Sequence, residues 1–185
     1  IPALKARQID AVLAQMSRTA EREKSVDFSR IFTTAPVHLV AKKGSGISHQ
    51  PATLRGKTVG VQTASTHESY FRNRLPTSSS GINVKVYQSL DAAWLDLESG
   101  RIQAVFADST VAHDWLAKSG QQAGFAFAGQ AITDDAIFGA GTAIAVRKGD
   151  SKLKAQFDLA ILGVHQNGYF QTVNKRYFPF SILPQ

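Results

Sequence analysis

The sequence predicts an α/β fold made of two lobes, each with a mixed, mostly parallel sheet flanked by helices. Apolar, strand-like segments alternate with amphipathic, helix-like segments along most of the chain. In addition, residues 4–14 resemble residues 97–107, since each segment is a helix end, a tight polar turn and a buried strand. Their separation is too long for a solenoid repeat and fits one such unit in each lobe. The alternative is that any two helix-to-strand joints look alike.

The elements follow from short apolar runs and from helical spacing of apolar residues between Gly-, Ser- and Pro-rich loops. Strands are predicted at residues 9–13, 37–41, 58–61, 84–87, 104–107, 125–128 and 142–146, and helices at 66–75, 90–98, 110–118, 153–166 and 169–177. Segments near residues 33–37 and 141–146 are expected to cross between the lobes. The predicted first lobe is therefore 1–34 with 142–185, and the second is 35–141.

Composition excludes several classes of protein. The 185 residues include no Cys, which rules out disulfides, thiol catalysis and cysteine metal sites. The net charge of +7 comes from 21 Lys and Arg against 14 Asp and Glu, but these basic residues are scattered, so nucleic-acid binding is not predicted. No apolar run approaches the ~20 residues that span a bilayer. The histidines lack metal-ligand spacing, and we predict neither a metal nor a cofactor.

The first candidate site follows the predicted strand 58–61. Ser65 and Glu68 form a capping-box pattern at the start of a helix. The first turn of such a helix offers free N–H groups and the positive end of its dipole, which attract a carboxylate or phosphate. The alternative is a helix that is simply well capped.

The second candidate is the segment around Arg22. Thr19 is a predicted N-cap, with Glu21 and Glu23 in the first helical turn. Arg22 is then placed to grip a carboxylate with two parallel N–H bonds. The alternative is a surface arginine that pairs with a nearby glutamate.

The third candidate is Asp108, which ends the predicted strand 104–107. Open α/β sheets place ligands at the carboxyl ends of their strands, where Asp108 would pair with an ammonium group. The alternative role for this carboxylate is an N-cap of the next helix.

Together these segments resemble one family, the periplasmic binding proteins of polar amino-acid transporters, especially the lysine/arginine/ornithine- and histidine-binding branch. The resemblance runs the full length of the chain, and its motifs are specific through their order and spacing. They are Ile1-Pro2-Ala3-Leu4-Lys5, Ile9-Asp10-Ala11-Val12, Met16-Ser17-x-Thr19-x-x-Arg22, Val26-Asp27-Phe28-Ser29, Leu54-Arg55-Gly56-Lys57-Thr58-Val59-Gly60-Val61, Ser65-Thr66-x-Glu68, Gly100-Arg101-Ile102-x-Ala104-Val105 and Lys175-Arg176-Tyr177-Phe178.

The resemblance implies a two-lobed fold of the type II periplasmic binding proteins and a role for each site residue. Arg22 is expected to hold the α-carboxylate of a free amino acid, helped by Ser17 and Thr66, while Asp108 holds the α-ammonium. The other expected ligand contacts are Ala14, Gln15, Thr63, Ser65 and His67. Two of these depart from the family pattern, because Ala14 has no hydroxyl and His67 stands where Gln is frequent. The sequence therefore leaves open which amino-acid side chain the protein prefers in its ligand.

The resemblance also implies a periplasmic protein without catalytic activity that captures a polar, basic-type amino acid by hinge closure and delivers it to an inner-membrane ABC permease. Family members carry an opening strand–helix–strand segment before the position of Ile1. We therefore expect a first lobe that is incomplete, with a domain-swapped dimer as one outcome. Two alternative functions stay open: a cyclohexadienyl (arogenate) dehydratase-like enzyme on the same fold, and the ligand-binding domain of a receptor.

Overall fold

The computed structural model describes residues 1–184, and at Thr77 the backbone alone. The chain forms two compact units. Unit 1 comprises Ile1–Ala35 and the described residues from Asp134 onward, and unit 2 comprises Pro36–Thr133. The prediction assigned residues 134–141 to the second lobe, whereas they pack in unit 1. The reason is local. Gly139 lies so close to the Arg18 backbone that an added Cβ would overlap the Arg18 carbonyl oxygen, and the Arg18 N–H donates to the Gly141 carbonyl over 2.8 Å.

The helices and strands occupy the following positions in chain order. They are α1 (Pro2–Lys5), β1 (Ala11–Val12), α2 (Ala20–Glu23), β2 (Val26–Thr33), β3 (Val37–Lys42), a 3-10 helix (Pro51–Leu54), β4 (Thr58–Gln62), α3 (Thr66–Arg74), α4 (Thr77–Ser80), β5 (Asn83–Tyr87), α5 (Leu90–Glu98), β6 (Ala104–Asp108), α6 (Ser109–Trp115), a π-helix (Leu116–Gly120), β7 (Phe125–Phe127), α7 (Asp135–Phe138), β8 (Thr142–Arg147), α8 (Ser151–Gln166) and α9 (Tyr169–Tyr177).

Unit 2 contains a five-stranded sheet in the order β5-β4-β6-β3-β7. The strands β5, β4 and β6 run parallel, while β3 runs antiparallel to both β6 and β7, so the sheet is mixed as predicted. The apolar run of β6 is buried from Ala104 to Ala107, which is typical of a strand covered on both faces. Because β4 and β6 are parallel neighbours, the loops that follow them lie at the same edge of the sheet.

Unit 1 contains a three-stranded sheet in the order β1-β8-β2. Its core includes Leu4, Val26 and Phe28 against Ala143 and Ala145. Both strand pairings are antiparallel among the described residues, so the prediction of a mostly parallel sheet is wrong for this unit. The physical reason is that β8 lies between β1 and β2 and runs opposite to each of them.

Two strands of unit 1 differ from their predicted extents. The strand predicted at 9–13 is shortened to Ala11–Val12, and its flanks Ile9 and Leu13 are 40% and 68% exposed. The strand β2 was not predicted, although Val26 and Phe28 alternate with Asp27 in the manner of a half-buried strand. Its pairing with β8 shifts register twice beyond Phe28, which interrupts the alternation and weakens the sequence signal.

A pair of stacked indoles anchors helix α6 on unit 2. The rings of Trp94 and Trp115 are 4.5 Å apart and nearly parallel, and a Cβ on Gly120 would overlap the Trp115 ring. We predict that Gly120→Ala lowers the free energy of unfolding by about 1–3 kcal/mol, because the ring cannot move away from Trp94 without cost. Urea denaturation followed by circular dichroism measures this change.

The matched control is Gly163→Ala in α8, where no heavy atom of the described residues outside the local helix backbone lies within 4 Å of the added Cβ. This change should raise stability by up to about 1 kcal/mol, since Ala is the better helix former. Equal effects of the two substitutions would contradict the steric account of Gly120.

Candidate functional site

The loop between β4 and α3 holds the start of α3 in place. The Ser65 hydroxyl accepts a hydrogen bond from the Glu68 N–H over 3.1 Å, and the Glu68 carboxylate accepts one from the Ala64 N–H over 2.8 Å. The capping box predicted from the sequence is therefore confirmed, with the return bond one residue earlier than in the standard pattern. Ala64 adopts a positive φ of 54°, which is costly for a residue other than glycine. These bonds fix the loop that presents Thr66 and His67.

Two further hydrogen bonds join this loop to the sheet. The Thr63 N–H donates to the Tyr87 carbonyl over 2.8 Å, and the Ser65 hydroxyl donates to the Gln62 carbonyl over 2.6 Å. Ser65 thus gives and receives hydrogen bonds within its own turn. Its structural role is to hold α3 at the end of β4.

Asp108 lies beside the first turn of α3. Its carboxylate Oδ1 is 3.3 Å from Nε2 of His67, and the two side chains are 17% and 9% exposed. Asp108 is the residue before α6, yet its side chain makes no capping hydrogen bond to that helix, so the alternative N-cap role is wrong. The imidazole of His67 also packs edge-on against Phe106, at 5.5 Å between ring centroids. Two separate candidate sites of the sequence therefore meet in unit 2.

The backbone after Asp108 is fixed by His38, which the sequence interpretation did not single out. Its Nδ1 lies 2.8 Å from the Ser109 hydroxyl, which in turn donates to the Pro36 carbonyl. Burial lowers the pKa of His38 below its ordinary value, which favours the neutral imidazole. A histidine inside a strand followed by apolar residues carries no signal for such a role.

Arg22 is on the short helix α2 of unit 1. Thr19 caps this helix by accepting a hydrogen bond from the Arg22 N–H over 3.3 Å, as predicted. The Arg22 guanidinium donates through Nη1 to the Ser17 carbonyl over 2.9 Å. An ion pair in this segment joins Glu23 to Arg18, with 2.6 Å between Nε and Oε1. The bond to Ser17 holds the Arg22 side chain against the segment that precedes α2.

The segment 14–17 is attached to the start of β8. The Thr142 hydroxyl donates to the side-chain oxygen of Gln15 over 3.1 Å, and Ser17 forms a β-bridge with Thr142. Ala14 is exposed, and its carbonyl accepts a bond from the Met16 N–H over 2.7 Å. Thr142 was not among the site residues predicted from the sequence.

Two glycines before β8 allow this attachment, and the sequence interpretation missed their role. Gly141 has a φ of 136°, and a Cβ there would lie 2.7 Å from Ile31 and 2.9 Å from the Thr33 carbonyl. Gly139 has a φ of 73° and lies against the Arg18 carbonyl. The signal that could have revealed them is the Gly-x-Gly pattern directly before an apolar strand.

The structure thus gathers the predicted residues into two groups, one in each unit. The group in unit 1 is Ala14, Gln15, Ser17 and Arg22, and the group in unit 2 is Thr63, Ser65, Thr66, His67 and Asp108. Among residues 1–184, no cluster of three or more His, Asp or Glu side chains is arranged to hold a metal ion. Within that range, no helix is long and apolar enough to cross a membrane.

Unit 1 thus presents a guanidinium at Arg22, and unit 2 presents the Asp108 carboxylate beside the start of α3, each on an α/β scaffold. The chain belongs to the bacterial extracellular solute-binding proteins, family 3, whose family model matches residues 1–180. Membership in this family of binding proteins agrees with the prediction of a non-enzymatic function.

The sequence relatives include several bacterial amino-acid-binding proteins. The L-arginine-binding protein of Pseudomonas aeruginosa is 41% identical over 98% of this chain and 70% of its own length. The lysine/arginine/ornithine-binding periplasmic protein of Escherichia coli is 36% identical, and the histidine-binding periplasmic protein of Salmonella typhimurium is 33% identical, each over 98% of this chain and 69% of the relative.

Solved structures confirm the predicted fold of a type II periplasmic binding protein. An arginine-specific periplasmic binding protein from Salmonella typhimurium matches with a TM-score of 0.84 at 29% identity, covering 96% of this chain and 75% of that one. An ancestral arginine-binding protein solved with arginine matches with a TM-score of 0.83 at 34% identity, with the same coverage.

The capping serine of α3 can be tested against a matched serine in α5. Ser65→Ala removes the N-cap of α3 and should lower stability by about 1 kcal/mol. Ser89→Ala removes the equivalent cap of α5, also a nine-residue helix, and should have a similar cost. Hydrogen exchange of the amides of residues 66–68 should accelerate in the first variant alone. Acceleration in both variants, or in neither, would contradict the local role of Ser65.

Proposed function

We propose that this protein captures a free basic amino acid, with L-arginine as the leading candidate, and presents it for import. The family relationship and the arginine-, lysine- and histidine-binding relatives support this ligand class. The observation that carries the proposal is the 3.3 Å approach of His67 to Asp108, because it joins a helix N-terminus and an anion in one place. An amino acid carries a positive ammonium group and a negative carboxylate close together. It therefore needs an anionic partner for the first and a cationic or N–H partner for the second.

The proposed partner of the ligand carboxylate is Arg22. Its guanidinium offers parallel N–H donors, and the bond to the Ser17 carbonyl restricts its rotation before a ligand arrives. Ser17 and the first turn of α3 at Thr66 supply further donors. Thr66 is buried at 8% exposure, so a carboxylate bound there would be well shielded from water.

The proposed partner of the ligand ammonium is Asp108. Its carboxylate is partly exposed and does not cap α6, so it keeps acceptor capacity for an incoming cation. The proposed further contacts to the ligand are Ala14, Gln15, Thr63 and His67. Ser65 is proposed to act on the ligand through the position of Thr66.

A ligand that binds groups of both units favours the arrangement in which both groups face it. This is the thermodynamic basis of hinge closure, and we propose it for this chain. The proposed partner for delivery is the permease of an ABC-type importer. The proposed location is the periplasm, in line with the periplasmic relatives.

We predict that Arg22→Ala and Asp108→Asn each weaken L-arginine binding by about 2–5 kcal/mol. Each change removes one partner of a charge pair and leaves the other buried without its counterpart. Isothermal titration calorimetry of the 185-residue chain with L-arginine measures the loss, and L-glutamate, with the opposite side-chain charge, is the comparison ligand.

Matched controls are Arg55→Ala and Asp114→Asn, which alter exposed residues of the same charges outside the proposed site. Both controls should bind L-arginine like the unchanged protein. The proposal fails if the unchanged protein does not bind L-arginine, or if Arg22→Ala and Asp108→Asn bind it with undiminished affinity.

We also propose a second copy of this chain as a partner, in a dimer that pairs or exchanges strands at β1. Among the described strands, β1 is paired on one side alone and is flanked by the exposed Leu13. Light scattering should then give twice the mass of 20.0 kDa at high concentration. Leu13→Lys should restore the single-chain mass, because a charge at a strand edge opposes pairing. A mass of 20.0 kDa at every concentration of the unchanged protein would rule the dimer out.

A further inference from the structure

We propose that Thr142 is a positioning residue, whose hydroxyl turns the side-chain amide of Gln15 so that the amino group is offered to the ligand carboxylate. The Thr142 hydroxyl donates to Oε1 of Gln15 over 3.1 Å, although the two residues are 127 positions apart in the chain. This inference rests on the proposed function, in which Gln15 contacts the ligand. It adds a residue that acts on the ligand through Gln15.

The main chain fixes where Thr142 lies relative to the segment that carries Gln15. Ser17 and Thr142 are opposite each other in an antiparallel β-bridge. Two backbone hydrogen bonds close this bridge, and they are Arg18 N–H to the Gly141 carbonyl at 2.8 Å and Ala143 N–H to the Met16 carbonyl at 3.2 Å. Because these bonds flank the bridged pair, the side chains of Ser17 and Thr142 are close neighbours on one face.

The hydrogen bond selects one of the two orientations of the Gln15 amide. Thr142 is buried at 6% exposure, so its hydroxyl has little access to water and depends on a protein partner. That partner is the amide oxygen of Gln15. An amide carries its acceptor and its two donors on opposite sides of one carbon, so a bond to the oxygen directs the amino group away from β8.

The orientation of this amide matters for a carboxylate ligand. A carboxylate accepts hydrogen bonds and donates none, so it is attracted by the amino group of Gln15 and repelled by the amide oxygen. In the proposed site the same carboxylate is held by Arg22, whose guanidinium is restrained by the Ser17 carbonyl. Without the Thr142 donor, the amide is no longer restricted to the favourable orientation, and affinity for the ligand falls.

The experiment removes the hydroxyl of Thr142 and keeps the shape of its side chain. Thr142→Val retains the branched side chain that suits a strand, and the backbone bonds of the bridge do not involve the hydroxyl. Calorimetry of the 185-residue chain with L-arginine should show binding about fivefold weaker, within the range that one hydrogen bond contributes. Thr142→Ser keeps a hydroxyl donor and should bind within about twofold of the unchanged protein.

The matched control is Thr33→Val. Thr33 is opposite Thr142 in the pairing of β2 with β8 and is also buried, at 4% exposure. Its hydroxyl makes no hydrogen bond to any residue that the structure describes. The same replacement should therefore leave L-arginine affinity within about twofold of the unchanged protein. A loss equal to that of Thr142→Val would mean that any buried hydroxyl removed at this position of the sheet weakens binding, and it would overturn the role of Thr142.

A double substitution tests whether Thr142 acts through Gln15. Gln15→Ala removes the amide and should itself weaken L-arginine binding about fivefold. Adding Thr142→Val to Gln15→Ala should then cost no more than about twofold further, because no amide is left to orient. Independent effects would instead multiply to a loss of about twenty-five-fold, and that result would contradict the inference.

The outcomes distinguish this inference from the proposed function. If the unchanged chain does not bind L-arginine, the proposed function fails and the role of Thr142 fails with it. If it binds L-arginine but Thr142→Val binds as tightly, or Thr142→Ser binds as weakly as Thr142→Val, the role of Thr142 is overturned while the proposed function stands. Thermal unfolding shows that each variant is folded during the titration, and Thr142→Ala replaces Thr142→Val if the latter is unfolded.

Discussion

The parallel pairing of β4 with β6 is the constraint on which the unit 2 group depends. Val59 is opposite Ala104 and Gly60 is opposite Val105, so two further residues bring Gln62 level with Ala107. The loop before α3 and the carboxylate of Asp108 therefore emerge from the same edge of the sheet. Neither the positive end of α3 nor the anion is specific alone, and their proximity is the reason that we propose a ligand with both charges at this edge.

The features that the sequence predicted well are those determined by a few consecutive residues. Thr19 and Ser65 each accept a hydrogen bond from the N–H three residues later in the chain, so these caps could be predicted from a short segment, and both are present. The buried strand β6 follows from an uninterrupted apolar run. Pairing in the sheet of unit 1 could not be predicted in this way, because β8 meets β1 and β2 over more than a hundred intervening residues.

In the candidate site too, residues marked by a local pattern were predicted, whereas contacts between distant segments were not. Arg22 and Asp108 were singled out because a charged residue beside a helix or strand end is visible in the sequence. The contact of His67 with Asp108 depends on the pairing of two strands, and the bond of Gln15 to Thr142 depends on Gly141 allowing β8 to begin there. Such contacts link residues that no pattern in the sequence connects, and they determine the direction in which each charged group is held.

The overall charge of the protein raises a last physical question, since a chain with a net charge of +7 is proposed to bind a cationic side chain. At an ionic strength of 0.1 M, charges further apart than about 10 Å are largely screened, so scattered lysines and arginines on the surface have a small effect on a bound ligand. A carboxylate within hydrogen-bonding distance in a poorly hydrated site acts through a much lower effective dielectric constant. Affinity for a cation is therefore governed by the charged groups within a few ångströms of it, and Asp108 is the carboxylate that we propose for the α-ammonium of the ligand.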